Sequence, residues 1–142
     1  MKQFFTSLFI TFTAILTTSC SQPTRDDIEN NLRDAEMQIA QGDMTAAQSA
    51  ADYILGNQSL DKLTPRQLGR LSLIYMQISD STDSEDPVSH AADCYRAAYA
   101  ANPDSADMFY SNVPTEHTAR ATLLSSIVHS NDIPTDSLHL DD

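Results

Sequence analysis

Apolar residues recur at Ile28, Leu32, Ala35 and Ile39, a spacing of four, three and four that lines one face of a helix. Thr24 followed by Asp27 has the form of a capping box, and Asp26, Asp27 and Glu29 suit the positive end of that helix. Gly42 ends the helix and Asp43 caps a second one, which presents Met44, Ala47, Ala51 and Ile54 and stops near Gly56-Asn57. Thr64-Pro65-Arg66-Gln67 is the sharpest local signal: Thr64 caps, Pro65 fits the first turn, and Gln67 can reach back to the cap amide. The helix that follows is apolar at Leu68, Leu71, Leu73, Ile74, Tyr75, Met76 and Ile78. Those positions surround its axis, so it is expected at the centre, packed on more than one side.

Ser79 to Asp86 reads as a polar, acidic loop, and Asp86-Pro87 opens a fourth helix with Val88, Ala91, Tyr95 and Ala98, closed by Asn102-Pro103. Asp104 to Val113 is expected to hold a short turn with Met108, Phe109 and Tyr110. A last helix spans about Pro114 to His129, with Leu123, Leu124, Ile127 and Val128. Residues 131–142 have too little apolar area to order themselves and read as a disordered acidic tail.

Long helix, turn, alanine-bearing helix and polar loop then occur twice, with Ala47 and Ala51 answering to Ala91 and Tyr95. This resembles the tetratricopeptide (TPR) family, whose antiparallel helix pairs recur about every 34 residues. Ala91, Tyr95, Ala98 and Pro103 match its small, aromatic, small and proline positions, while the Trp-Leu-Gly start is missing and the second loop is extended. A generic bundle of helical hairpins shares much of the pattern. The expected fold is all-α: antiparallel hairpins forming a TPR-like superhelix of about five helices with a C-terminal capping helix, over residues 26–130. In the resemblance, the first helix of each pair lines a concave groove. With Leu32, Ala35 and Ile39 packed inward, that implies Asn30, Arg33 and Met37 on the groove from the first helix, and Ser72 and Met76 from the central one.

The N-terminus has a different grammar. Lys2 precedes an apolar stretch, Phe4 to Leu16, then the small residues Thr17-Thr18-Ser19. This is the layout of an export signal. The stretch is about 20 Å long as a helix, short of a hydrocarbon core of ~30 Å, so an anchor helix is the weaker reading. Leu16-Thr17-Thr18-Ser19-Cys20 resembles the lipobox of bacterial lipoproteins, although Thr17 stands where leucine is usual. The resemblance implies a signal peptide over 1–19, acylation of Cys20 with palmitate-type chains, and a tether over 20–25. Two acyl chains make attachment to a lipid bilayer stable, where one is marginal. Ser21, rather than Asp, after the cysteine implies the outer membrane instead of the inner. The plainer alternative is ordinary cleavage and a soluble exported protein.

The chain has 142 residues, enough for one domain, with 20 Asp plus Glu against 8 Lys plus Arg and a net charge of −12. Losing Lys2 with the signal moves the net charge to −13. Such a chain is a poor ligand for nucleic acid, which demands clustered Lys and Arg, and it favours a basic protein partner. With 3 Gly and no Trp, a Gly-rich nucleotide fold is disfavoured.

Catalytic patterns are hard to find. His90, His117, His129 and His139 form no zinc spacing and read as solvent-exposed. Asp80, Asp83, Glu85 and Asp86 lack the glycine and alternation of a calcium loop, so a solvated loop with Asp86 capping a helix is the plain reading. Cys94, among Ala91, Tyr95 and Ala98, reads as a buried inert thiol. Neither an enzyme nor a cofactor is expected. Two function classes remain: a protein–protein interaction or scaffold module of the cell envelope, or an accessory protein binding a small ligand or glycan with Tyr75, Tyr95, Phe109 and Tyr110.

Overall fold

The computed structural model of the protein describes residues 24–131. They form α1 (Arg25–Gln41), α2 (Met44–Asn57), a 3-10 turn (Leu60–Lys62), α3 (Pro65–Ser79), α4 (Asp86–Ala101), α5 (Pro103–Ser111) and α6 (Thr115–Asn131), with no strand among the described residues. The fold is all-α. The signal segment, Cys20, most of the tether and the tail after Asn131 lie outside the described residues.

Helix boundaries follow local chemistry. Thr24 Oγ1 accepts from the Asp27 amide at 3.3 Å while Asp27 Oδ2 accepts from the Thr24 amide at 2.8 Å, so both halves of the capping box form. Gly42 sits at φ +82°, where a side chain would be strained, and its amide donates to the carbonyls of Gln38 and Ile39. Asp43 Oδ1 then accepts from the Ala46 amide at 2.9 Å and starts α2. Thr64 and Gln67 make the second reciprocal box, and Pro65 occupies the first turn of α3.

α1 packs along α2 and α3 along α4, while α3 also touches α1, α2, α5 and α6. The central position of α3 is visible in its burial: Gln67, Leu68, Gly69, Leu71, Ser72, Leu73, Ile74, Tyr75, Met76 and Ile78 are all buried. One continuous core joins Ile28, Leu32 and Ala35 of α1 to Ala47, Ala51 and Ile54 of α2, Ala91, Cys94 and Ala98 of α4, and Leu124 and Val128 of α6. Alanines at the α1–α2 and α3–α4 seams let backbones approach closely, and each large aliphatic side chain fully removed from water contributes about 1.5–3 kcal/mol.

Three local expectations change. The stretch read as a short turn is a full helix, α5, because Pro103 presets its first turn and Asn102 Oδ1 accepts from the Ser105 amide at 2.9 Å. The described residues hold six α-helices, α6 being the last. Asp86 does not cap α4: it lies in the first turn, Glu85 occupies the cap without a side-chain bond, and the Asp86 amide donates to Ser84 Oγ at 3.2 Å. On α6, Leu124 and Val128 are buried but Leu123 points outward and is 53% exposed.

Candidate functional site

α1, α3, α5 and the start of α6 enclose a groove of about 1010 Å³. Its α3 wall carries Arg66, Arg70, Leu73, Ile74 and Gln77; α1 contributes Arg25 and Glu36; Met108, Phe109, Val113, Pro114 and His117 close the other side. The α5–α6 side is thus mainly apolar, while the α3–α1 side sets its cations beside Leu73, Ile74 and the carboxylate of Glu36.

The α3–α1 side is built on the α3 cap. Gln67 Oε1 accepts from the Thr64 amide at 3.0 Å, and its Nε2 donates to Glu29 Oε1 on α1 at 3.0 Å. The other oxygen of Glu29 accepts from Arg70 Nη1 at 2.7 Å. Arg70 completes a two-pronged clamp on Glu36, with Nε to Oε1 at 2.8 Å and Nη2 to Oε2 at 2.9 Å. One helix cap and one arginine therefore lock α1 to α3 along the groove floor. Glu36 first, then Glu29, raise the Arg70 pKa against partial desolvation. For Glu29, burial pushes the carboxyl upward, but hydrogen bonds from Gln67 and Arg70 outweigh it, helped by the charges of Arg70 and Arg66; the carboxyl sits below its ordinary value. Arg25 and Arg66 make no ion pair among the described residues, where Lys62, Arg70, Arg96 and Arg120 are all paired.

The residues assigned to a groove from sequence are only partly brought together. Ser72 and Met76 are buried, and neither lines it. Ser72 Oγ donates to the Gly69 carbonyl at 2.7 Å and meets Tyr110 Oη at 2.8 Å, so it faces α5. Met76 belongs to the core cluster. Asn30, Arg33 and Met37 are exposed on α1, but it is Arg25 and Glu36 of that helix that line the groove. The reason is rotational: Glu29 and Glu36, one heptad apart, face α3, whereas Asn30 and Met37 stand about 100° further round. Arg66, Arg70, Met108 and His117, which do line it, were passed over.

The aromatic set divides. Tyr75 is wholly buried, meets His90 in a tilted ring contact at 5.1 Å and donates to Asp52 Oδ1 of α2 at 2.7 Å, which keeps it from any pocket. Tyr95 and Tyr110 lie 4.8 Å apart with Phe109 edge-on to Tyr110 at 5.1 Å, and Tyr99 stacks parallel to Tyr110 at 6.0 Å. Tyr95, Tyr99 and Tyr110 line a smaller cleft of about 300 Å³ with the hydroxyls of Ser111, Thr118, Thr122, Ser125 and Ser126.

The histidines are less exposed than expected. His90 is half-buried against Tyr75, and His117 is half-buried at the groove with Nδ1 shielded and without a hydrogen-bond partner. His129 is exposed, while His139 lies outside the described residues. Burial first, then the charge of Asp93, pushes the Cys94 thiol up to about 12, consistent with an inert core residue.

No protein-family model matches the chain, and no match was found among curated proteins or solved structures. The site must therefore be read from its own chemistry.

Proposed function

We propose that this chain is an exported lipoprotein, held at the outer membrane by acylated Cys20, whose TPR-like helical domain is a protein–protein interaction module of the cell envelope. The observation that carries the binding role is the groove: about 1010 Å³, open, with Met108 66% exposed opposite Arg25 and Arg66, which make no ion pair among the described residues. An exposed apolar wall beside fixed charge suits an extended or helical segment of another protein better than a small polar metabolite. The whole chain carries a net charge of −12, so its acidic faces steer basic patches while Arg25 and Arg66 give the groove the opposite sign. No catalytic step is part of this reading. The anchor rests on the lipobox-like run ending at Cys20.

Crosslinking and co-purification of the acylated protein test the groove. Wild type should retain a stoichiometric partner that the Arg66→Glu/Met108→Asp variant loses; an identical partner set from both overturns the assignment. Mass spectrometry of the N-terminus tests the anchor, and Cys20→Ser should move the protein into the aqueous phase of a detergent partition.

A second reading, an accessory protein for a glycan, is favoured by the tyrosine- and hydroxyl-lined cleft at Tyr95, Tyr99 and Tyr110. Soluble glycan binding abolished by Tyr99→Ala, with the groove variant unaffected, would select it.

A further inference from the structure

The groove has a matching ligand within the same chain. Residues 132–142 read Asp132-Ile133-Pro134-Thr135-Asp136-Ser137-Leu138-His139-Leu140-Asp141-Asp142, with no Lys or Arg. Aliphatic side chains at 138 and 140 are followed directly by paired carboxylates. The groove offers the complement: apolar Leu73, Ile74 and Met108, with Arg25 and Arg66 nearby and unpaired among the described residues. Lys62, Arg96 and Arg120 already hold Asp61, Asp93 and Asp80, and the remaining cation of the described residues, Arg33, does not line the groove. On so acidic a surface, this is the place where an acidic strand meets attraction instead of repulsion.

Reach permits it. The segment leaves the described fold at Asn131, about 21 Å along α6 from His117, the α6 residue that lines the groove. Extended, Leu138 lies roughly 24 Å and Asp142 roughly 35 Å beyond Asn131, so the seat requires a nearly straight segment running back along α6.

We propose that residues 132–142 seat in the groove of their own molecule, Leu138 and Leu140 on the apolar wall and Asp141 and Asp142 on Arg25 and Arg66, as a displaceable occupant that an outside partner must compete with. This rests on the groove being a binding surface. Occupancy shields Met108 and restrains promiscuous association, and deletion of the segment frees the groove.

Paramagnetic broadening tests it on residues 20–142 carrying Cys20→Ser, which retains every buried residue of the core. A nitroxide is placed by Ser137→Cys; Cys94, with no exposed surface, is spared. The methyl signals of Leu73, Ile74, Met108 and Val113 should lose more than half their intensity, and those of Ala47 and Ala51 should not. Arg25→Glu/Arg66→Glu should restore the groove signals, as should 1 M salt in part, where the screening length falls to about 3 Å. Undiminished groove signals overturn the proposal. Broadening that persists when labelled chains lacking isotope are mixed with isotope-labelled chains lacking nitroxide assigns the segment to a second copy and overturns the intramolecular seat. If the groove signals are undiminished while Arg66→Glu/Met108→Asp still abolishes partner capture, this inference fails and the groove reading stands; if capture is also unaffected, both fail.

Discussion

The ring of Phe109 lies directly on the backbone of α3 at Gly69, in the space that any β-carbon at that position would occupy. This contact draws α5 onto α3 and supplies part of the apolar side of the groove, since Phe109 is itself a lining residue. Gly69 is buried in mid-helix, where glycine ordinarily costs about 0.5–1 kcal/mol relative to alanine. Here the sign should reverse. Gly69→Ala must displace an aromatic ring, and overpacking of this kind destabilises by about 1–3 kcal/mol. Urea denaturation of Gly69→Ala, Phe109→Leu and the double variant gives the coupling: the double variant should be less destabilised than the sum of the singles. Additive losses would show that the ring does not depend on the missing β-carbon.

Arg70 is the second bolt across the groove. Its side chain is 19% exposed and engages both Glu29 and Glu36, so it lies between a surface pair and a buried one. Arg70→Met keeps most of the packing but leaves two carboxylates facing each other. We expect a loss of about 1–3 kcal/mol, above the value of an exposed pair and below that of a fully buried one. Arg70→Lys should recover only part, because an ammonium cannot reproduce the flat two-pronged contact with Glu36. Thermal or urea melts of the two variants check this; equal stability of Lys and wild type would reduce the clamp to simple charge attraction.

What could be read from the sequence was local. Thr24–Asp27, Gly42–Asp43 and Thr64–Gln67 satisfy backbone groups within four residues, so their roles are written in short windows. α5 was missed because Ala106 is its one buried residue; Phe109 and Tyr110 acquire their places from Gly69 and Ser72, forty residues or nearly so away in the chain. The inward turn of Ser72 and Met76 was hidden for a related reason. A helix apolar all round, like α3, does not say which side a sixth helix will leave open. A signal did exist in Arg66, Arg70 and Gln77, which share one side of α3 and interrupt its apolar circumference. The partners that turn this stripe into a wall, Glu29 and Glu36, come from another helix.

Cys94 gives a direct probe of core opening. It is fully buried with its thiol pushed up to about 12, so at pH 8 thiol reagents should meet almost no thiolate in the folded protein. Labelling kinetics across a urea series should then track global unfolding. Fast labelling in native buffer would mean that the α3–α4 seam opens independently of the rest.

Acid should loosen the α1–α3 seam before the remainder of the core. Glu29 is held below its ordinary value of 4.5 because, although partial burial raises it, hydrogen bonds from Gln67 and Arg70 lower it further. In the unfolded chain that value returns to normal, so the folded form binds its proton less readily. The resulting stabilisation is complete above the unfolded value and disappears as pH falls through the lower folded one. Asp27, lowered by hydrogen bonds from the Thr24 amide and hydroxyl against a slight opposing desolvation, acts with the same sign. Glu29 is 38% exposed, and water screening keeps its share within about 1 kcal/mol. Urea midpoints taken from pH 6 down to pH 3 should therefore fall for wild type and fall less steeply for Glu29→Gln, which starts lower and has no carboxylate to titrate there. Parallel acid limbs for the two proteins would remove Glu29 from the account and leave the clamp to Glu36 alone.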